Sequence, residues 1–175
     1  MIYHLTVTGK DKIGLVEALA EQIQQRQGNW LESRLCRLGG RFAGIVRVEF
    51  ASPPDALPEK VESLSCQWEH VLDEEAAENR AESSARVHIL AADRPGLVKQ
   101  ISRLLASAGA NVEEVESRVK SAPFSGEQMF EANYWITLPP GGNQVKLASG
   151  LESLAEELMC EIDFEDAHEA FPTRR

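Results

Sequence analysis

The spacing of hydrophobic positions changes period in a fixed order, and that order runs twice along the chain. Residues 2–8 are rich in β-formers and predict a strand. From there apolar side chains fall at Ile13, Val16, Leu19, Ala20 and Ile23, the spacing of one helix face. Gly28-Asn29 supplies a helix stop. Strands over 30–38 and 42–50 flank Gly39-Gly40, a hairpin signal. Pro53-Pro54-Asp55 breaks the chain and opens a predicted second helix carrying Leu57, Val61 and Leu64, and a strand near 67–72 closes the unit. The second half repeats this order. A strand is predicted over 86–92 and a helix over 95–108, with Leu97, Val98, Ile101, Leu104 and Leu105 on its apolar side. Gly109-Ala110-Asn111 ends that helix. Strands over 112–119 and 128–138 follow, then the breaker Pro139-Pro140-Gly141-Gly142-Asn143, a helix over 146–159 and a strand over 161–164.

Each half therefore reads β-α-β-β-α-β. That order builds a four-stranded antiparallel sheet with helices on one face, the ferredoxin-like architecture of the α+β class. The predicted units are 1–73 and 85–170, joined by the acidic segment 74–84 and followed by a short tail, 171–175. The strand Val87-His88-Ile89-Leu90-Ala91-Ala92 is apolar at both parities, so its second face is expected to be at least partly covered.

The two halves also share residues. Asp11-Lys12-Ile13-Gly14-Leu15-Val16 is echoed by Asp93-Arg94-Pro95-Gly96-Leu97-Val98. Glu32-Ser33-Arg34-Leu35 matches Glu116-Ser117-Arg118-Val119, and Val61-Glu62-Ser63-Leu64 matches Leu151-Glu152-Ser153-Leu154. A period of roughly 80 residues is too long for a solenoid repeat and suits a duplicated small domain.

Charge narrows the partners. The formal net charge is −10 over 175 residues, and no half or tail is basic. Phosphate neutralisation dominates nucleic-acid affinity, so direct DNA or RNA binding is not expected. Arg34, Arg37, Arg41 and Arg47 read as a solvated hairpin face. No apolar run approaches the roughly 20 residues that cross a bilayer, and the N-terminus lacks a signal-peptide pattern, so a cytoplasmic protein is expected. Cys36, Cys66 and Cys160 are too scattered for a disulfide or zinc framework. His4, His70, His88 and His168 form no metal-ligand motif, no phosphate loop or cofactor motif occurs, and Glu113, Glu114 and Glu116 are split across two strand faces by alternation. The chain reads as a non-enzyme with no cofactor.

The useful chemistry lies in the loop before each first helix. Gly14 and Gly96 lack a Cβ and let a ligand approach the main chain. Free N–H groups at a helix N-terminus attract a carboxylate, and a neighbouring Asp11 or Asp93 meets an ammonium group. Those features suit a free amino acid. The plain alternative is that both aspartates only cap helices, with Pro95 in the first turn, and that the glycines only make turns.

Asp93-Arg94-Pro95-Gly96-Leu97 and Gly109-Ala110-Asn111-Val112 resemble the two signature segments of an ACT domain, a small-molecule-sensing module of amino-acid metabolism. The first half, with Asp11, Ile13, Gly14, Leu15 and Gly28-Asn29, is similar, with Ile13 in place of the proline. The tandem layout and Gly39-Gly40-Arg41-Phe42-Ala43-Gly44 resemble the glycine cleavage system transcriptional repressor family. The resemblance implies a regulator that binds an amino acid, glycine first among candidates, at an interface between modules. It implies ligand contacts from the loop acids Asp11 and Asp93 and from Asn29 and Asn111. The partner it implies is a transcriptional activator, held by protein contact. Gly9 and Ala91 stand where some amino-acid-binding members carry histidine, which favours the alternative of a ligand-blind interaction module or a detached regulatory subunit of a metabolic enzyme. Monomer and homodimer both remain open.

Overall fold

The computed structural model describes residues 1–71, 83–123, 125–138 and 144–166. The 74–84 connection, apart from Ser83 and Ser84, lies outside the described residues, as do the 139–143 breaker and the 171–175 tail. The chain divides into two compact units, Met1–Glu78 and Asn79–Arg175.

The first unit contains β1 (Ile2–Lys10), α1 (Leu15–Gln25), β2 (Gly28–Leu38), β3 (Arg41–Phe50), β4 (Lys60–Val61) and β5 (Leu64–Val71). Its antiparallel sheet has the order β2-β3-β1-β5-β4. Alternation along β1 sends Leu5 and Val7 inward while Thr6 and Thr8 face out. Leu15, Leu19 and Ile23, one turn apart on α1, cover that inner face, to which Val46, Val48 and Phe50 of β3 also belong. The second unit contains β6 (Ser83–Ala92), α2 (Leu97–Ser107), β7 (Asn111–Ser121), β8 (Gln128–Leu138), α3 (Gln144–Leu158) and β9 (Glu161–Asp166), with sheet order β7-β8-β6-β9. Leu97, Ile101 and Leu105 of α2, with Leu147 and Leu151 of α3, close its core over Val87, Ile89, Tyr134 and Ile136.

Two expectations differ from the structure. The first concerns the helix expected after Pro53-Pro54-Asp55. Residues 51–59 are irregular, and the chain enters the two-residue strand β4, turning at Glu62 with φ 56°. Pro58 would interrupt a helix at its centre, and β5 already begins at Leu64, so the segment is too short. Val61 and Leu64 are buried all the same, because a spacing of three also fits the inner face of this hairpin. Trp68 caps that region, its Nε1 donating to the Pro58 carbonyl at 3.0 Å, with Phe50 and Tyr3 in an aromatic chain behind it. The resemblance between 61–64 and 151–154 is thus one of sequence only, a turn in one copy and α3 in the other.

The second concerns register. Ser33 and Val115 occupy equivalent rungs, opposite Val46 and Tyr134, which themselves face Leu5 and Val87. The Glu32-Ser33-Arg34-Leu35 and Glu116-Ser117-Arg118-Val119 match is therefore displaced by two residues from the structural alignment. Both β2 and β7 carry a bulge near their start, at Leu31 and Glu113.

The outer face of the second sheet carries paired charges. Arg118 and Lys120 donate to Glu131, His88 lies between Glu131 at 3.6 Å and Asp163 at 3.4 Å, and Arg86 reaches Asn133 and Glu165. Charged side chains shield their own stems on this face. The Glu131 carboxyl, 14% exposed, is held down at about 2 by the hydrogen bonds from Lys120 and then Arg118.

Candidate functional site

Each first helix begins at a glycine in the left-handed region, Gly14 at φ 89° and Gly96 at φ 97°. Neither helix has a side-chain cap, so Asp11 and Asp93, three residues earlier, are not the N-caps the plain alternative supposed. The Gly14 and Gly96 carbonyls accept from Ala18 and Gln100, while the first N–H groups of each helix have no intrahelical partner. Nothing lies within 4 Å of where a Cβ on Gly14 or Gly96 would stand. The main chain at both helix starts is therefore open. Leu15 and Leu97 turn inward at the first helical position and anchor the two loops, whereas Ile13 and Pro95 face solvent, Ile13 completely.

The two loops differ in charge. Asp11 binds Arg37 Nε at 2.6 Å, and its N–H donates to the Gly40 carbonyl. Lys12 pairs with Glu62, which lowers the Glu62 pKa chiefly through their hydrogen bond. Asp93 also ties its N–H to a strand, at the Gln128 carbonyl, but its exposed carboxylate has no ion pair among the described residues. Arg94 turns away and reaches the Leu158 carbonyl at the end of α3 at 3.5 Å. The sequence showed neither the Arg37 pairing nor this asymmetry, since Arg37 lies on a different strand.

Asn29 and Asn111 open the second strand of each module and are exposed. Asn111 Nδ2 donates to Glu113 Oε1 at 2.6 Å, and Thr137 Oγ1 donates to the same oxygen. Glu113 is the bulge residue, so the bulge, and not simple alternation, decides where it points. Sequence reasoning missed this clamp; the bulge that creates it leaves no mark in the hydrophobic pattern.

The structure does not bring each loop to its asparagine. Lys10 faces Arg41 at one end of β3, while Asn29 faces Glu49 near the other. Ala92 faces Met129 and Asn111 faces Thr137 in the same way on β8. Eight residues of strand separate the two ends, about 26 Å at ~3.3 Å per residue. One free amino acid cannot span that distance within a module. Two shallow clefts, of about 570 and 530 Å³, lie in the first unit beside Trp68 and beside Pro53. Neither includes a loop residue named above. Among the described residues no three His, Cys, Asp or Glu side chains are placed to hold a metal ion, and no helix is long and apolar enough to cross a membrane.

Comparison with known proteins fits this geometry. The ACT domain family model matches residues 3–78. A protein of unknown function from Galdieria sulphuraria superposes with a TM-score of 0.77 at 24% identity, covering 94% of this chain and 97% of its own. The chain has a tandem ACT-like fold. A protein provisionally assigned as a glycine cleavage system transcriptional repressor superposes with a TM-score of 0.64 at 14% identity, covering 94% of this chain and 96% of its own. No curated protein matches the sequence. At these identities the solved structures establish the tandem ACT-like architecture. The second ACT-like module keeps the expected βαββαβ order, and the first replaces its second helix with irregular chain and β4.

Proposed function

We propose that the protein is a non-catalytic regulator that binds an amino acid and represses by contact with a transcriptional activator of glycine cleavage genes. The observation that carries this reading is the open main chain at Gly96 beside the Asp93 carboxylate, which has no ion pair among the described residues. A helix N-terminus takes a carboxylate and Asp93 takes an ammonium, which is the charge pattern of a free zwitterion. Glycine is the first candidate because it asks for nothing beyond those two groups. The assigned name of the 0.64-TM-score neighbour supports the same direction.

The second ACT module is then the ligand module, since Arg37 already neutralises Asp11 in the first. Because Asp93 and Asn111 lie at opposite sheet ends, an amino acid touching both kinds of group needs the asparagine of another module. The −10 net charge suits a repressor that holds a protein and leaves DNA to that partner.

A ligand-blind interaction module is the second reading. The fully exposed Ile13 and the Asp11–Arg37 pair favour it for the first module. Calorimetry with a panel of free amino acids, glycine first, distinguishes the two. Heat with glycine that is lost in Asp93→Ala supports the sensor. No heat from any amino acid, with the protein folded, leaves only the interaction module. Identifying the protein that copurifies with the endogenous chain tests the partner, and a metabolic enzyme in place of an activator would contradict the repressor reading.

A further inference from the structure

The outer faces of the two sheets differ at equivalent rungs. Val46 of β3 and Tyr134 of β8 set the alignment, so the three outward rungs nearest each loop can be matched in turn. In the first sheet these rungs carry three cations, Lys10, Arg41 and Arg34, and no carboxylate. In the second they carry four carboxylates, Glu116, Glu131, Glu161 and Asp163, against two cations, Arg118 and Lys120. Ala43, Ser65 and Gln67 stand in the first sheet where Glu131, Glu161 and Asp163 stand in the second.

The second sheet thus neutralises its own cations, with Glu131 accepting from both Arg118 and Lys120. The first sheet supplies no such group in these rungs. Its outward carboxylates, Glu32, Glu49 and Glu69, lie in the rungs beyond, toward the other end. At the loop end Asp11 is engaged by Arg37 and Glu62 by Lys12. Lys10 and Arg41 have no ion pair among the described residues. Two large apolar side chains lie among the cations: Leu38, 80% exposed, opposite Arg41, and Ile45, 52% exposed, opposite Arg34. Exposed apolar groups rimmed by charge mark a surface that a partner completes.

We propose that this face of the first ACT module docks an acidic amphipathic helix of a protein partner. The carboxylates of that helix meet Lys10, Arg41 and Arg34, and its apolar stripe covers Leu38 and Ile45. Three rungs span about 13 Å along the strands and four strands about 14 Å across, which is room for one helix about 10–12 Å wide. A helix buries its apolar stripe on a sheet face in just this way within domains. A nucleic acid or an anionic bilayer would extend past these rungs, onto Glu32, Glu49 and Glu69 and a chain of net charge −10. A single helix stays within the patch. The inference rests on the proposed function only in that the chain holds a protein; it depends neither on amino-acid binding nor on what that protein does.

The test uses the endogenous full-length chain isolated with its bound protein. A water-soluble carbodiimide joins an amine directly to a carboxylate in contact with it. Mass spectrometry should find Lys10 joined to an aspartate or glutamate of the bound protein, in a segment whose apolar residues recur about every three to four positions. Cys36 is exposed in the same outward row, between Arg34 and Leu38, and its alkylation should slow about tenfold or more in the complex, the protection expected of a covered surface. Lys10→Glu with Arg41→Glu should weaken the complex by about tenfold or more. Arg103→Glu with Lys146→Glu changes net charge equally on exposed positions of α2 and α3 and should leave it intact. Links from Lys10 only to this chain or a second copy of it, an unprotected Cys36, equal loss in both double variants, dispersal of the complex by nuclease or detergent, or no bound protein at all would each overturn the proposal. If Lys10→Glu with Arg41→Glu loses its circular dichroism signal, the link and the Cys36 protection in the native chain decide instead. A metabolic enzyme linked at Lys10 would contradict the repressor reading and support this surface.

Discussion

The junction between α1 and β2 makes a sharp test, because structure and hydrophobic pattern locate its special backbone position differently. Gln27 has φ 59°, left-handed backbone in a residue that pays for its Cβ there. Its counterpart in the second module, at the same step after the helix, is Gly109 with φ 74°. Gly28, the glycine expected to stop the helix, has no positive φ. It is needed because a Cβ there would stand 2.7 Å from the Phe50 ring and 2.9 Å from Ile23. Gln27→Gly removes a left-handed penalty of about 1–2 kcal/mol. It also adds unfolded-chain entropy worth about 0.5–1 kcal/mol against folding. The net expectation is stabilisation of about 0.5 kcal/mol, or roughly 2–4 °C in Tm for a unit of this size. Gly28→Ala should destabilise by about 1–3 kcal/mol through overpacking. Urea unfolding followed by fluorescence reads both, since Trp30 and Trp68 report the first module. If Gln27→Gly lowers stability, Gln27 is not left-handed, and the placement of the start of β2, and with it Asn29, is wrong.

Two further tests probe the second module. Glu131 has a depressed pKa, about 2 against an ordinary 4.5, so the unfolded state binds more protons between those values. The stability it contributes is fully present above about 4.5 and is lost as pH falls toward 2; unfolding free energies across that window should show a flatter slope for Glu131→Gln, and an unchanged slope would refute the role given to Lys120 and Arg118. Tyr134 is buried, its hydroxyl has no partner in hydrogen-bond geometry among the described residues, and burial pushes the phenol pKa up against a smaller opposing pull from the nearby Ser102 hydroxyl. Tyr134→Phe should therefore be neutral or stabilising by up to about 1 kcal/mol in thermal melts, and a loss of that size would reveal a bond at this oxygen.

Much of the fold was legible because the core writes itself into spacing. Leu15, Leu19 and Ile23 on α1 and the strict alternation of β8 need only the periods 3.6 and 2, and the predicted 128–138 strand matches β8 at both ends. The 51–63 segment misled because Leu57, Val61 and Leu64 have helical spacing, whereas Val61 and Leu64 in fact meet as a pair across the β4–β5 hairpin; Pro58 was the signal that decided it. The bulges at Leu31 and Glu113 were invisible, since an inserted residue merely looks like a slightly longer strand. At the candidate site, sequence identified the residue types on both loops but not their pairing. That Arg37 reaches Asp11 depends on which strands neighbour one another. The same topology, and not the motif, separates each loop from its asparagine.

The account stands most directly on amide shifts during titration of the folded full-length protein with glycine. The prediction is saturable movement of the Gly96, Leu97 and Val98 amides, with Asp93→Ala abolishing it and the Gly14 amide moving less. Unmoved amides at both helix starts with millimolar glycine and every other amino acid tried would contradict the claim that these open helix ends receive a zwitterion.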